Sequence, residues 1–121
     1  MNKPEHLIQS EIRIALSPHA IMLRVNSGTF YQGKLVWDAT RNQYILTNIR
    51  PVTGAPAGTS DLIGCRRSDG RFVAIECKTA AGAVRPDQIK FLDAMRDAHA
   101  VCGIARSAED AIHIIEGNAY E

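Results

Sequence analysis

The chain has 121 residues, 45% of them hydrophobic and 22% charged, with a formal net charge of +1. That length and balance suit a single domain over 1–121, which buries roughly two-thirds of the surface its unfolded chain exposes. No apolar run is long enough for a membrane span or a secretory signal, so a soluble, cytoplasmic protein is expected. Cys65, Cys77 and Cys102 fall in predicted strands without C-x-x-C spacing, which favours buried thiols over a disulfide framework or a zinc site. His6, His19, His99 and His113 are scattered and form no paired-ligand pattern.

A first helix is expected from Asn2, a capping residue, with Pro4 and Glu5 suited to its first turn and Pro18 at or just past its end. Leu7, Ile8, Ile12, Ala15 and Leu16 make its apolar face. Glu11 stands one turn from both Leu7 and Ala15, at the edge of that face, where it either reaches solvent or serves a site at the margin of the core. Ile21 to Asn26 reads as a strand, and Ser27-Gly28 as a turn. Lys34 to Asp38 and Gln43 to Thr47 read as a hairpin around Thr40-Arg41-Asn42. Trp37, Tyr44 and Ile45 are large for a peripheral element, and they are expected to pack within the chain, over the main sheet, in preference to another subunit. Arg50 to Gly58, with two prolines and two glycines, reads as a loop leading into Asp61.

Two apolar runs follow, Leu62 to Cys65 and Phe72 to Cys77, and the Asp69-Gly70 dipeptide between them signals an antiparallel hairpin. Alternation puts Phe72, Ala74, Glu76 and Lys78 on one face of the second strand, and Val73, Ile75 and Cys77 on the other. Asp61 opens the partner strand, so the fold-back brings it near Glu76 and Lys78. One reading is an exposed Glu76–Lys78 pair worth under ~1 kcal/mol, with Asp61 a turn residue. The apolar neighbours argue for a strand buried on both faces, where two carboxylates repel unless a cation separates them. A hard divalent ion held by oxygen ligands resolves that conflict.

After a flexible T-A-A-G-A-V-R segment, a helix begins near Pro86 and Asp87, with Ile89, Leu92, Met95 and Phe91 as its buried candidates. Gln88 lies one turn before Leu92, close to that stripe, where a polar amide needs partners. Ala100 to Ala105 reads as a last strand, and Ser107 caps a final short helix. Arg66, Arg67 and Arg71 cluster at the central hairpin turn, while Arg41, Arg50 and Arg85 lie in predicted loops. They form either a solvated surface or a short basic track toward phosphate, for which Arg66, Arg67, Arg50 and Arg85 are the candidates.

Asp61 followed fifteen positions on by Glu76-Cys77-Lys78 resembles the D…(D/E)-x-K core of restriction-endonuclease-like proteins. Together with Glu11, Arg24-Val25-Asn26-Ser27-Gly28, Gly58-Thr59-Ser60 and Gln88, the string is similar to the virus-type replication-repair nuclease (VRR-NUC) domain. Ser60 stands where relatives often have proline and Cys77 where valine is common, and Ala98-His99 replaces an expected glycine. The resemblance implies an α/β fold, a mixed central sheet flanked by helices in the order αβββαβα with an extra β-hairpin. It implies a DNA endonuclease dependent on Mg²⁺ or Mn²⁺, acting on branched DNA such as four-way junctions or flaps in a bacterial or phage-infected cell. Asp61, Glu76 and the Cys77 backbone carbonyl would hold the metal, and Lys78, Gln88 and Glu11 would complete the catalytic set. The implied partners are DNA and a second copy in a homodimer, without a membrane or small-molecule cofactor. A non-catalytic nucleic-acid-binding module on the same fold, or a plain Glu76–Lys78 pair in an unrelated binding domain, are the alternatives.

Overall fold

Helix α1 (Glu5–Leu16) buries Ile8, Ile12 and Leu16, four residues apart, as one stripe in a computed structural model that describes residues 3–117. Pro4 takes the position before its first turn, and Leu7, placed on the apolar face by the sequence pattern, is 41% exposed. The expected cap at Asn2 lies outside the described residues. Strand β1 (Ala20–Arg24) follows, then a hairpin of β2 (Thr29–Asp38) and β3 (Gln43–Thr53). The chain continues through β4 (Leu62–Arg66), β5 (Phe72–Cys77), α2 (Pro86–Asp97), β6 (Val101–Ala105) and α3 (Ala108–Glu116).

The central sheet has the order β1-β4-β5-β6. Its first two pairings are antiparallel, and β5 runs parallel to β6. That parallel pair requires a crossover, which α2 supplies. Side chains on β5 divide as their alternation dictates. Val73, Ile75 and Cys77 join the larger core under α1 and α3, while Ala74 meets Leu92 and Cys102 under α2. The result is the mixed α/β arrangement of a restriction-endonuclease-like fold. Gln88 and Leu92, one turn apart, are the buried residues of α2, whereas Ile89 is 45% exposed and faces away from the core expected for it. At the end of that helix His99 holds φ +68°, and its carbonyl accepts the Arg71 Nε–H at 2.9 Å. That left-handed conformation is one that glycine adopts without strain.

The peripheral hairpin departs from expectation twice. Its strands extend beyond the apolar runs, and β3 continues through Pro51, tolerated because a two-stranded sheet has only edges. Its large side chains do not cover the main sheet: Leu35 is 63% exposed, Trp37 53% and Tyr44 65%. The reason lies at its base. The Gly54 N–H to Gly28 O and Ala55 N–H to Asn26 O bonds, 2.8 and 3.0 Å, tie the two connecting segments together and carry the hairpin outward from the end of β1. The strands pack chiefly on each other, with Trp37 edge-on to Tyr44 at 5.1 Å between ring centroids.

Gly64 lets β1 approach β4, since an added Cβ would lie 1.8 Å from the Ile21 carbonyl oxygen. Gly64→Ala is therefore expected to separate this edge pairing and destabilise the protein by about 2 kcal/mol or more, measurable by urea unfolding. Gly70→Ala serves as the comparison: its turn position, φ +76°, has nothing within 4 Å of the added atom, so only the cost of the left-handed backbone, ~1 kcal/mol, applies.

Candidate active site

The β4–β5 register pairs Leu62 with Ile75, so the next row sets Asp61 opposite Glu76 at one end of the sheet. Asp61 is fixed there at two points. Its carbonyl accepts the Val25 N–H at 2.8 Å, and its carboxylate Oδ2 accepts the Cys77 N–H at 2.8 Å. Glu76 is 1% exposed, because it lies on the face of β5 that α2 covers. Its Oε2 accepts the Gln88 Nε2–H at 3.1 Å and lies 4.0 Å from the Lys78 Nζ. Gln88 is itself buried and held from its other end, where Oε1 accepts the Arg85 N–H at 2.9 Å. The amide therefore presents its donor to Glu76 without freedom to turn. Glu76 Oε1, by contrast, is buried without a hydrogen-bond partner.

A third carboxylate arrives from the first turn of α1. Oxygens of Glu5, Asp61 and Glu76 all lie within 4.8 Å of one another. Burial first, and the Asp61 carboxyl second, push Glu76 up to about 8, with Glu5 adding to the rise and Lys78 opposing it. The lysine loses this contest because one ammonium faces two acids and a large desolvation cost. Burial also raises the Cys77 thiol well above its ordinary range, which leaves that side chain an inert part of the core. Three carboxylates of this kind, with one oxygen unpartnered, could hold a hard divalent cation.

Of the residues expected at a site, Asp61, Glu76, Lys78 and Gln88 are brought together. Glu11 is not part of the cluster. Its carboxylate pairs with Lys3 Nζ at 2.9 Å, and Glu5, six residues earlier on the helix, supplies the acid instead. Sequence reasoning missed Glu5, although it stands three residues before Ile8 and seven before Ile12, on the buried stripe. Arg66 and Arg67 are also displaced. An antiparallel hairpin puts its turn at the opposite end from its mouth, roughly 13 Å along β5 from Glu76. Arg66 there bonds Asp69 and the carbonyls of Ile115 and Gly117, holding Asp69 down at about 2 through that hydrogen bond, while Arg67 Nε donates to Ser17 O. Both act as structural ties. Arg50 lies on β3 and bonds Gln32, and Arg85 precedes α2 with its Nε 3.2 Å from Asp87. Two other arginines stand at the acid end: Arg24, opposite Leu62, and Arg106, whose Nη1 binds the carbonyls of Thr79 and Gly82 just beyond Lys78 at 2.7 and 2.8 Å.

The sequence matches the VRR-NUC domain over residues 4–109, a span that includes every member of this cluster. The chain belongs to the VRR-NUC domain family. The family is one of nucleases. No curated protein gives a significant match. Among the described residues no helix is long and apolar enough to cross a membrane.

The cluster has a measurable consequence for the cation-free protein. A carboxyl whose folded-state pKa lies above its ordinary 4.5 favours the fold while protonated, and that contribution is lost as pH rises through about 8. In the presence of a chelator, the melting temperature is expected to fall between pH 5 and 8.5. Glu76→Gln, which stays neutral, should show a shallower fall in the same series of thermal melts.

Proposed function

We propose that this VRR-NUC domain is a divalent-metal-dependent DNA endonuclease that hydrolyses phosphodiester bonds in branched DNA, such as four-way junctions or flaps. The observation that carries this reading is the unpartnered, buried Oε1 of Glu76, on a carboxylate that has an oxygen within 4.8 Å of oxygens of Asp61 and Glu5. Without a cation the three acids relieve their repulsion only by holding a proton on Glu76, and their all-oxygen donor set fits Mg²⁺ or Mn²⁺. Asp61, Glu76 and the Cys77 backbone carbonyl would hold the ion, joined by Glu5. When bound, such an ion supplies Lewis-acid stabilisation of the phosphate and acidifies the attacking water.

The chain's own residues do the rest. The Cys77 N–H holds one oxygen of Asp61, leaving the other for the cation. Gln88 fixes the rotation of Glu76 through a single donated hydrogen bond. Lys78, mostly buried beside Glu76, keeps its ammonium at the site to orient water or to stabilise negative charge growing on the phosphate. Arg24 and Arg85, exposed near the acid end, would meet the nucleic-acid backbone, with Arg50 on the hairpin as a more distant contact. Two copies related by a two-fold axis would present two such sites to the strands of a junction, in the cytoplasm of a bacterial or phage-infected cell.

Labelled single-stranded, duplex, flap and four-way-junction DNAs, incubated with Mg²⁺ or Mn²⁺, test this directly. Cleavage should be strongest on branched substrates and fall to background in Asp61→Ala and Glu76→Ala. Gln88→Ala, which frees Glu76 without removing a ligand, should lower the rate roughly 10- to 100-fold. Retention of DNA by the wild-type protein without cleavage in either metal would point to a non-catalytic binding module instead. Metal alone should also raise the melting temperature at pH 8 for the wild type and much less for Glu76→Gln, since a ligand stabilises the state that binds it.

A further inference from the structure

The T-A-A-G-A-V-R segment after β5, expected to be flexible, is tied down at its start by one side chain. Arg106, the residue after β6, sends Nη1 to the carbonyls of Thr79 and Gly82 at 2.7 and 2.8 Å, with that of Ala80 at 3.5 Å. The Gly82 N–H returns to Thr79 O at 3.1 Å and closes a turn over residues 79–82. That turn lies on Lys78. A Cβ added to Gly82 would stand 3.5 Å from Lys78 Cδ, ordinary contact distance, and 3.0 Å from Thr79 Oγ1, so glycine lets the backbone settle against the lysine stem.

Lys78 depends on such a cover. Its N–H is fixed to Ala105 O at 3.0 Å, but its ammonium has no hydrogen bond among the described residues. Its ion-pair partner, Glu76 Oε2, stands 4.0 Å away, beyond hydrogen-bond length. An attraction at that range sets no direction for a long, flexible stem. The side chain is nevertheless only 12% exposed. Packing, not hydrogen bonding, holds it.

We propose that Arg106 is a positioning residue for Lys78: by closing the 79–82 turn on the stem, it keeps the ammonium at the acidic cluster. The brace and the lysine are rooted in adjacent strands. Arg106 follows Ala105, whose carbonyl accepts the Lys78 N–H, and its own N–H donates to Asp110 Oδ2 at 2.9 Å in the first turn of α3. Its guanidinium forms no ion pair among the described residues, so carbonyl dipoles alone compensate its charge. The converging carbonyls need that donor in return. The role of the ammonium rests on the nuclease reading above, but the brace itself is tested without cleavage.

The experiment compares the wild type with Arg106→Ala in two measurements. The first is competitive labelling with acetic anhydride, an amine-acylating reagent, read by mass spectrometry at each lysine. In the wild type Lys78 should label far more slowly than the exposed Lys34 and Lys90, and in Arg106→Ala its rate should approach theirs. The second is cleavage of branched DNA with Mn²⁺ over a range of DNA concentrations. Arg106→Ala should lower kcat roughly 10- to 100-fold, as loss of alignment does, with KM unchanged. If Arg106→Ala loses its far-UV spectrum, Arg106→Gln replaces it. Rapid labelling of Lys78 in the wild type, or no change in Arg106→Ala, overturns the proposal, as does faster labelling with kcat intact. A raised KM at unchanged kcat overturns it in favour of direct contact between Arg106 and phosphate. All of these outcomes leave the nuclease reading standing. A wild type that cleaves no DNA ends that reading and the catalytic role of the brace together, while the labelling still shows whether the turn holds the stem.

Discussion

A carboxyl at 1% exposure is expensive to ionise, and Glu76 occupies that position because β5 is sandwiched between neighbouring strands and between helices on both faces. Its neighbours on the strand, Val73 to Ile75 and Cys77, are fully buried, so the strand cannot shift to relieve the acid without exposing them. The surrounding elements are arranged around that constraint. The start of β4 brings Asp61, α1 brings Glu5, and α2 brings an amide that donates to Glu76. The cost of the buried acid is thus offset only partly by protein groups, and Oε1 keeps lone pairs that none of them uses.

Much of this was legible in the sequence because it depends on short-range periodicity. The alternation of β5, the Asp69-Gly70 turn and the one-turn spacing of Gln88 and Leu92 each fix a local geometry, and the geometries agree with one another. Asp61, Glu76, Lys78 and Gln88 follow from that agreement. Glu5 and Glu11 could not be separated in the same way. Both flank the Ile8–Ile12 stripe, and only the direction in which α1 crosses the sheet decides which one reaches the acids. That direction is a tertiary fact, set by contacts of α1 with α3 and the sheet.

The basic residues show the same limit from the other side. Arg66 and Arg67 cluster with Arg71 at the hairpin turn, and that clustering made them candidates for a basic track toward phosphate at the site. An antiparallel pair reverses that inference, since every residue closer to the turn is farther from the mouth. The arginine that serves the mouth, Arg106, is distant in sequence and arrives through the parallel β5–β6 pairing, which sets Glu76 beside Ile104 and Cys77 beside Ala105. Its guanidinium then braces the segment after Lys78 by two short bonds to carbonyls.

The peripheral hairpin was misread for a different physical reason. Hydrophobic side chains imply burial, but they do not say in which molecule the burying surface lies. Trp37 and Tyr44 find each other edge-on, and Val36 and Ile45 meet on the reverse side, yet neither pair reaches the sheet. The base of the hairpin fixes its exit at the acid end of β1, beside Asp61, through the bonds that join Asn26 and Gly28 to the returning strand. An element anchored there and directed outward can add surface next to the acidic cluster without adding to the core that stabilises it. The stability of the domain and the shape of the rim beside its acidic cluster are therefore carried by different parts of the chain, and substitutions on the hairpin can alter the second while leaving the first intact.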